Sequence, residues 1–128
     1  MPQIVFEGTV FSGNGNGKKF VDLPWVKRQI EEKLGFSPYS GTLNLRLNKE
    51  GKEKRTLLEN AKGFLIEPQA SYCPGILFKA CINSFECAVV DPKVPNYPKD
   101  VLEIIAPVYL RGSLKLVDGS VLVVEVKV

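Results

Sequence analysis

Runs of alternating or apolar residues recur at 4–11, 42–47, 63–72, 76–82, 85–90, 101–106, 113–117 and 120–128, separated by turn residues such as Asn83-Ser84 and Asp118-Gly119. A chain cut into so many strand-length pieces must dispose of its sheet edges, because an unpaired strand offers free N–H and C=O groups to other chains. Closing the sheet into a small barrel is the economical way to do so. The last block, 114–124, reads as a hairpin turning at Asp118-Gly119. With 128 residues, 45% of them hydrophobic, the chain fits one mostly-β domain over residues 1–128 with a sizeable core.

One segment breaks the strand rhythm. Val26, Ile30 and Leu34 recur at i, i+4 and i+8, Pro24 suits a first turn, Asp22 can cap and Gly35 can terminate, so residues 23–34 are predicted as an amphipathic helix. Lys27, Arg28, Glu31, Glu32 and Lys33 then form its wet face.

Ahead of that helix lies Ser12-Gly13-Asn14-Gly15-Asn16-Gly17-Lys18-Lys19-Phe20. Three alternating glycines and two lysines give a backbone able to bring N–H groups and cations to an anion, as in a phosphate cradle. The spacing matches neither the G-x-x-x-x-G-K-S/T loop nor G-x-G-x-x-G. Asn-Gly and Gly-Asn between strand-like runs are equally the marks of a hairpin loop.

In the run 42–47, Leu43, Leu45 and Leu47 alternate with Thr42, Asn44 and Arg46, which predicts a half-buried strand. The Thr42 hydroxyl and Asn44 amide oxygen then share a face, roughly 7 Å apart along the strand, as two hard oxygen donors suited to Mg²⁺ or simply as a polar solvent face. In Val101-Leu102-Glu103-Ile104-Ile105 a single carboxylate stands among aliphatic side chains, either outward-facing on its strand or a functional group.

The chain has no histidine, which excludes Ser-His-Asp and Cys-His nucleophile pairs and histidine metal sites. Phosphoryl transfer tolerates that absence, since it relies on positioning and electrostatic stabilisation, for which Lys18 and Lys19 can supply cations. Cys73, Cys81 and Cys87 are odd in number, lack C-x-x-C spacing and read as buried free thiols. No signal peptide or membrane-length apolar run is visible, which suits a reducing cytoplasm. Net charge is +3, and the basic stretch 49–55 contains Glu50 and Glu53, the pattern of a solvated loop rather than a nucleic-acid stripe.

Three blocks, 7–20, 34–44 and 102–111, resemble in order and spacing the signature blocks of the archaeal CTP-dependent riboflavin kinases. The resemblance spans nearly the whole chain. It implies a six-stranded Greek-key barrel of the cradle-loop type that transfers the γ-phosphate of CTP to the ribityl 5′-hydroxyl of riboflavin, giving FMN and CDP. By the same resemblance Gly13, Asn14, Gly15, Asn16, Gly17 and Lys18 hold the nucleotide phosphates, and Val108, Tyr109, Leu110 and Arg111 lie against the cytidine. Thr42 and Asn44 match the Mg²⁺ ligands, and Glu103 contacts the flavin substrate, where it can orient the hydroxyl or accept its proton. The family's flavin-contacting threonine falls on Pro95, which has neither hydroxyl nor N–H, so its hydrogen bond must be absent or come from a neighbour such as Asn96.

Such an enzyme is expected to be a cytoplasmic monomer that binds CTP/CDP and riboflavin/FMN and neither nucleic acid nor membrane. The alternatives are a non-enzymatic small barrel binding nucleic acid or a protein, and a nucleotide-binding relative with altered flavin use.

Overall fold

The structure, a computed structural model, describes residues 3–69 and 71–128. Among these residues seven strands form: β1 (Gln3–Phe11), β2 (Leu43–Leu47), β3 (Phe64–Ile66), β4 (Gly75–Ile82), β5 (Phe85–Pro92), β6 (Val101–Ile105) and β7 (Val121–Lys127). Six of them pair antiparallel in the order β4-β5-β6-β2-β1-β7, and the Ala80↔Val126 and Cys81↔Glu125 pairings return β7 to β4 and close the barrel. β3 pairs with the first part of β4, from Phe64↔Leu77 to Ile66↔Gly75, outside the closed ring. The expected mostly-β barrel is therefore present.

Strand periodicity fills the interior. β1 alternates exposed and buried positions, as does β7, so Ile4, Phe6, Val10, Leu122, Val124 and Val126 point inward together with Leu45, Phe78, Ile82, Leu102 and Ile104. β5 reads as a continuous apolar run because both its faces are covered: Cys87 and Val89 belong to the interior, while Ala88 and Val90 lie under a helix. That helix, α2 (Pro24–Leu34), lays Val26, Ile30 and Leu34 over Leu77, Ala88, Val90 and Ile105. Each such aliphatic side chain contributes roughly 1.5–3 kcal/mol when taken fully out of water. Pro24 occupies its first turn and Gly35, at φ 79°, ends it as the sequence predicts.

The structure corrects several expectations. Asp22 does not cap α2; Leu23 takes the N-cap position, and the Asp22 carboxylate is engaged by Lys18 and Ser40 instead. Residues 49–55 form a helix, α3 (Lys49–Arg55), rather than a solvated loop, because the Asn48 side chain accepts from Gly51 N at 2.8 Å and the charges complement the helix ends. Arg55, at its end, is buried. The glycine segment is not a hairpin loop: after Gly15, at φ 87°, the chain enters the short helix α1 (Asn16–Val21), whose Val21 is buried.

No hairpin forms over 114–124. A short helix, α4 (Leu110–Ser113), buries Leu110, and Lys115 at φ 54° turns the chain before it can extend as a strand. β7 finds its partners in β1 and β4 instead. Of the expected run 63–72 only Phe64–Ile66 is strand, and Ala70 lies outside the described residues. The thiols are free, but only Cys87 is buried; Cys73 and Cys81 are partly exposed. Among the described residues no helix is long and apolar enough to cross a membrane.

Candidate functional site

Strand register sets the site. Asn44 of β2 pairs with Phe11 of β1 on one side and with Glu103 of β6 on the other, and Glu103 pairs with Val90 of β5. Directly opposed residues of antiparallel strands share a face, so Phe11, Asn44, Glu103 and Val90 form one row across the outside of the barrel. Thr42 lies two residues before Asn44 and faces the same way, as the alternation predicts. Its hydroxyl donates to Glu103 Oε1 at 3.1 Å, and Asn44 Oδ1 lies 3.4 Å from the same Thr42 oxygen.

The glycine segment closes over this row. A Cβ on Gly17 would stand 2.6 Å from Glu103 Oε1 and 2.9 Å from Thr42 Cγ2, and one on Gly13 would stand 3.2 Å from Asn44 Cγ. These glycines let the main chain approach where a side chain would fill the space. The result is an open cavity of about 570 Å³, whose lining includes Gly13, Asn14, Gly15, Asn16, Gly17, Lys18, Thr42, Asn44, Glu103 and Arg111. Lys18 reaches it, but its ammonium rests 2.8 Å from Asp22. The hydrogen bonds from Lys18 and Ser40 hold the Asp22 carboxyl below its ordinary value. Lys19 is not among the lining residues.

Three oxygens converge at the centre: Thr42 Oγ1, Asn44 Oδ1 and Glu103 Oε1. Hard oxygens of this kind suit Mg²⁺, and Thr42 and Asn44, whose oxygens lie 3.4 Å apart, are the two that could hold it. Thr42 and Asn44 would be the neutral donors to such an ion, with the Thr42 hydroxyl donating a hydrogen bond to Glu103 behind them.

A second cavity, of about 280 Å³, also reaches Glu103 and is lined by Phe20, Tyr72, Cys73, Pro74, Val90 and Pro92. Its aromatic wall is a packed group in which Trp25 meets Phe20 and Tyr72 edge-on, with ring centres 6.3 and 5.5 Å apart. The two cavities share Asn16, Gly17, Thr42, Val94, Tyr97 and Glu103. The more polar chamber and the more apolar one thus meet at the Thr42–Glu103 hydrogen bond.

Val108, Tyr109, Leu110 and Arg111 line a smaller pocket beside the polar chamber, together with Tyr39, whose ring stacks on Tyr109 at 5.0 Å. Arg111 bonds Asp118 at 2.8 Å, and Asp118 also accepts from Ser12, which ties the start of the glycine segment to this rim. Both donors, Arg111 foremost, hold the Asp118 carboxyl below its ordinary value. Pro95 and Asn96 line the polar chamber.

Sequence reasoning missed Tyr97, whose phenol donates to Glu103 Oε2, and Arg46, which lines the polar chamber with its guanidinium 4.4 Å above the Phe11 ring and 3.1 Å from Asp100. The signal for Arg46 was present, since it continues the Thr42, Asn44 alternation. Tyr97 sits in a proline-bounded segment with no periodicity to place it.

Residues 10–126 match the family model of the CTP-dependent riboflavin kinases, which carries the description "Domain of unknown function DUF120". The chain is 45% identical to a riboflavin kinase of Archaeoglobus fulgidus over 96% of its own length and 54% of the relative's. It is 43% identical to a riboflavin kinase of Pyrobaculum aerophilum over 93% and 59% of the two lengths, and 38% identical to one of Sulfurisphaera tokodaii over 94% and 93%. The chain thus spans little more than half of the first two relatives and nearly all of the third. On the extent of these matches, the chain belongs to the CTP-dependent riboflavin kinase family.

Proposed function

We propose that this chain is a riboflavin kinase that transfers the γ-phosphoryl group of CTP to the ribityl 5′-hydroxyl of riboflavin, yielding FMN and CDP with Mg²⁺. The observation that carries the reading is the meeting of two unlike cavities at one carboxylate. A glycine-lined polar chamber suits a triphosphate, an aromatic-walled one suits a flat tricyclic ring, and Glu103 stands between them. Family membership supplies the donor and acceptor.

In this reading the main chain of Gly13, Asn14, Gly15, Asn16 and Gly17 faces the phosphates, with Lys18 beside them. Val108, Tyr109, Leu110 and Arg111 receive the cytidine. The isoalloxazine lies among Phe20, Tyr72 and Val90, and the ribityl chain runs past Tyr97 toward Glu103. Pro95, at the position of the family threonine, offers the flavin no donor, so the segment's one hydroxyl is that of Tyr97.

Thr42 and Asn44 would hold Mg²⁺, which when bound offsets the phosphate charge and fixes the β- and γ-phosphates. Glu103 accepts the hydrogen bond of the 5′-hydroxyl, points its oxygen in line with the γ-phosphorus, and takes up the proton as the new O–P bond forms and the bridging P–O bond to CDP breaks. Residues 1–128 act as one kinase-like barrel domain, a cytoplasmic monomer that engages neither nucleic acid nor membrane.

The test is to incubate the purified protein with riboflavin, Mg²⁺ and either CTP or ATP, and to separate the flavins by chromatography. FMN formed with CTP, and its loss in Asn44→Ala, supports the reading. A folded protein that forms no FMN with either nucleotide overturns it.

A further inference from the structure

Residues 92–98 contain three prolines and a single hydroxyl, that of Tyr97. Asn96 adopts φ 62°, a turn conformation that asparagine tolerates. The Tyr97 phenol donates to Glu103 Oε2, while Glu103 Oε1 accepts from Thr42. The terminal torsion of a glutamate is broad and poorly held by packing alone, so one donor on each oxygen is what fixes the plane of this carboxylate.

Tyr97 is itself held from behind. The Arg55 guanidinium lies 5.4 Å from the centre of its ring. Arg55 donates to Val101 O at 2.9 Å and to Asp91 Oδ1 at 3.0 Å, and Lys93 bonds the other Asp91 oxygen at 2.8 Å. Among the described residues Arg55 and Asp91 are the two buried charged side chains. A buried ion pair gives little net stability over a well-packed apolar pair, and this one lies against the ring whose hydroxyl donates to Glu103.

We propose that Tyr97 is the positioning residue for Glu103: it locks the carboxylate with Oε1 on the Thr42 hydroxyl, and the Arg55–Asp91 pair exists to hold its ring. The proposal rests on the kinase reading for its consequence, not for its geometry. Burial foremost, then the hydrogen bond to Glu103 and its charge, push the phenol above its ordinary value.

Tyr97→Phe removes the donor and keeps the ring. The expected result is a kcat lower by roughly 10–100-fold, as for a small misplacement of a reacting group, with KM for CTP and the melting temperature unchanged. An unchanged kcat overturns the proposal, and so does a matched fall in melting temperature and rise in both KM values, which marks a merely structural tyrosine. Should the wild type form no FMN, the kinase reading fails separately, and the proton NMR spectrum decides the geometry. A slowly exchanging phenol proton, lost in Tyr97→Phe and shifted in Glu103→Gln, supports the positioning contact; its absence from the wild-type spectrum overturns it.

Discussion

Arg55–Asp91 beneath the site and Arg111–Asp118 at its rim are the same residue types at nearly the same separation, 3.0 and 2.8 Å. Their surroundings differ completely: the first pair is 7% and 4% exposed, the second 24% and 57%. Identical chemistry therefore serves two purposes. Below the floor, low dielectric makes either partner costly to leave alone, so the pair fixes geometry. At the rim, water competes for both charges, so the pair adds little to stability.

Substitutions that separate the two purposes test this contrast. Asp91→Ala leaves the Arg55 charge buried and unpaired and is expected to cost about 3–5 kcal/mol, read as a lower midpoint in chemical denaturation. A stability loss no larger than that of a rim variant would erase the distinction. Gly17→Ala, on the floor's lid, forces a methyl group against Thr42 and Glu103, and a misplacement of about 1 Å is expected to reduce turnover roughly a hundredfold, with near-normal stability; steady-state kinetics beside a melting curve check both. Asp118→Asn frees Arg111 and Ser12 and is expected to lower the melting temperature at neutral pH only slightly while altering KM for the nucleotide alone.

The smallest expected effect is in acid. Asp118, held by Arg111 and Ser12, and Asp22, held by Lys18 and Ser40, titrate in the fold below their ordinary value of 3.8. A carboxyl with a lowered folded pKa contributes stability above its unfolded value and loses it as pH falls through the folded one. The contribution is thus intact above pH 3.8 and fades below it. Melting temperatures recorded downward from pH 5 should fall less steeply in Asp118→Asn than in the wild type. The interior offers a matching control: burial, with Cys81 and Glu86 adding to it, pushes the Cys87 thiol up to about 12, so alkylation at neutral pH should reach Cys87 only after unfolding.

Legibility in the sequence follows periodicity. α2 was readable because Val26, Ile30 and Leu34 repeat at helical spacing, and β2 because three leucines alternate with Thr42, Asn44 and Arg46, which also put the two proposed metal donors on one face. α3 was not readable, because it buries Gly51 and Arg55 and shows no apolar stripe. Residues 113–117 alternate like a strand, yet nothing in that alternation reports that Lys115 turns back or that β7 already has both edges occupied. The glycine segment could be read as a loop or as a cradle until its contact with Thr42, Asn44 and Glu103, a matter of tertiary approach, was known. Tyr97 was hidden for the same reason: its partners lie on β6 and α3, and no local pattern links them.

The closure of the ring through β7 carries a consequence for how the molecule is made. Of the seven strands β7 leaves the ribosome last, yet it pairs with β1, the first, and seals β4. Until it arrives, two strands wait with open edges, the condition under which nascent chains associate wrongly. Contacts between strands so distant in sequence also make for slow folding, in the range of roughly milliseconds to seconds. The ring is thus closed by the strand made last, and the row Phe11, Asn44, Glu103, Val90 lies in a barrel whose closing strand contributes no residue to it.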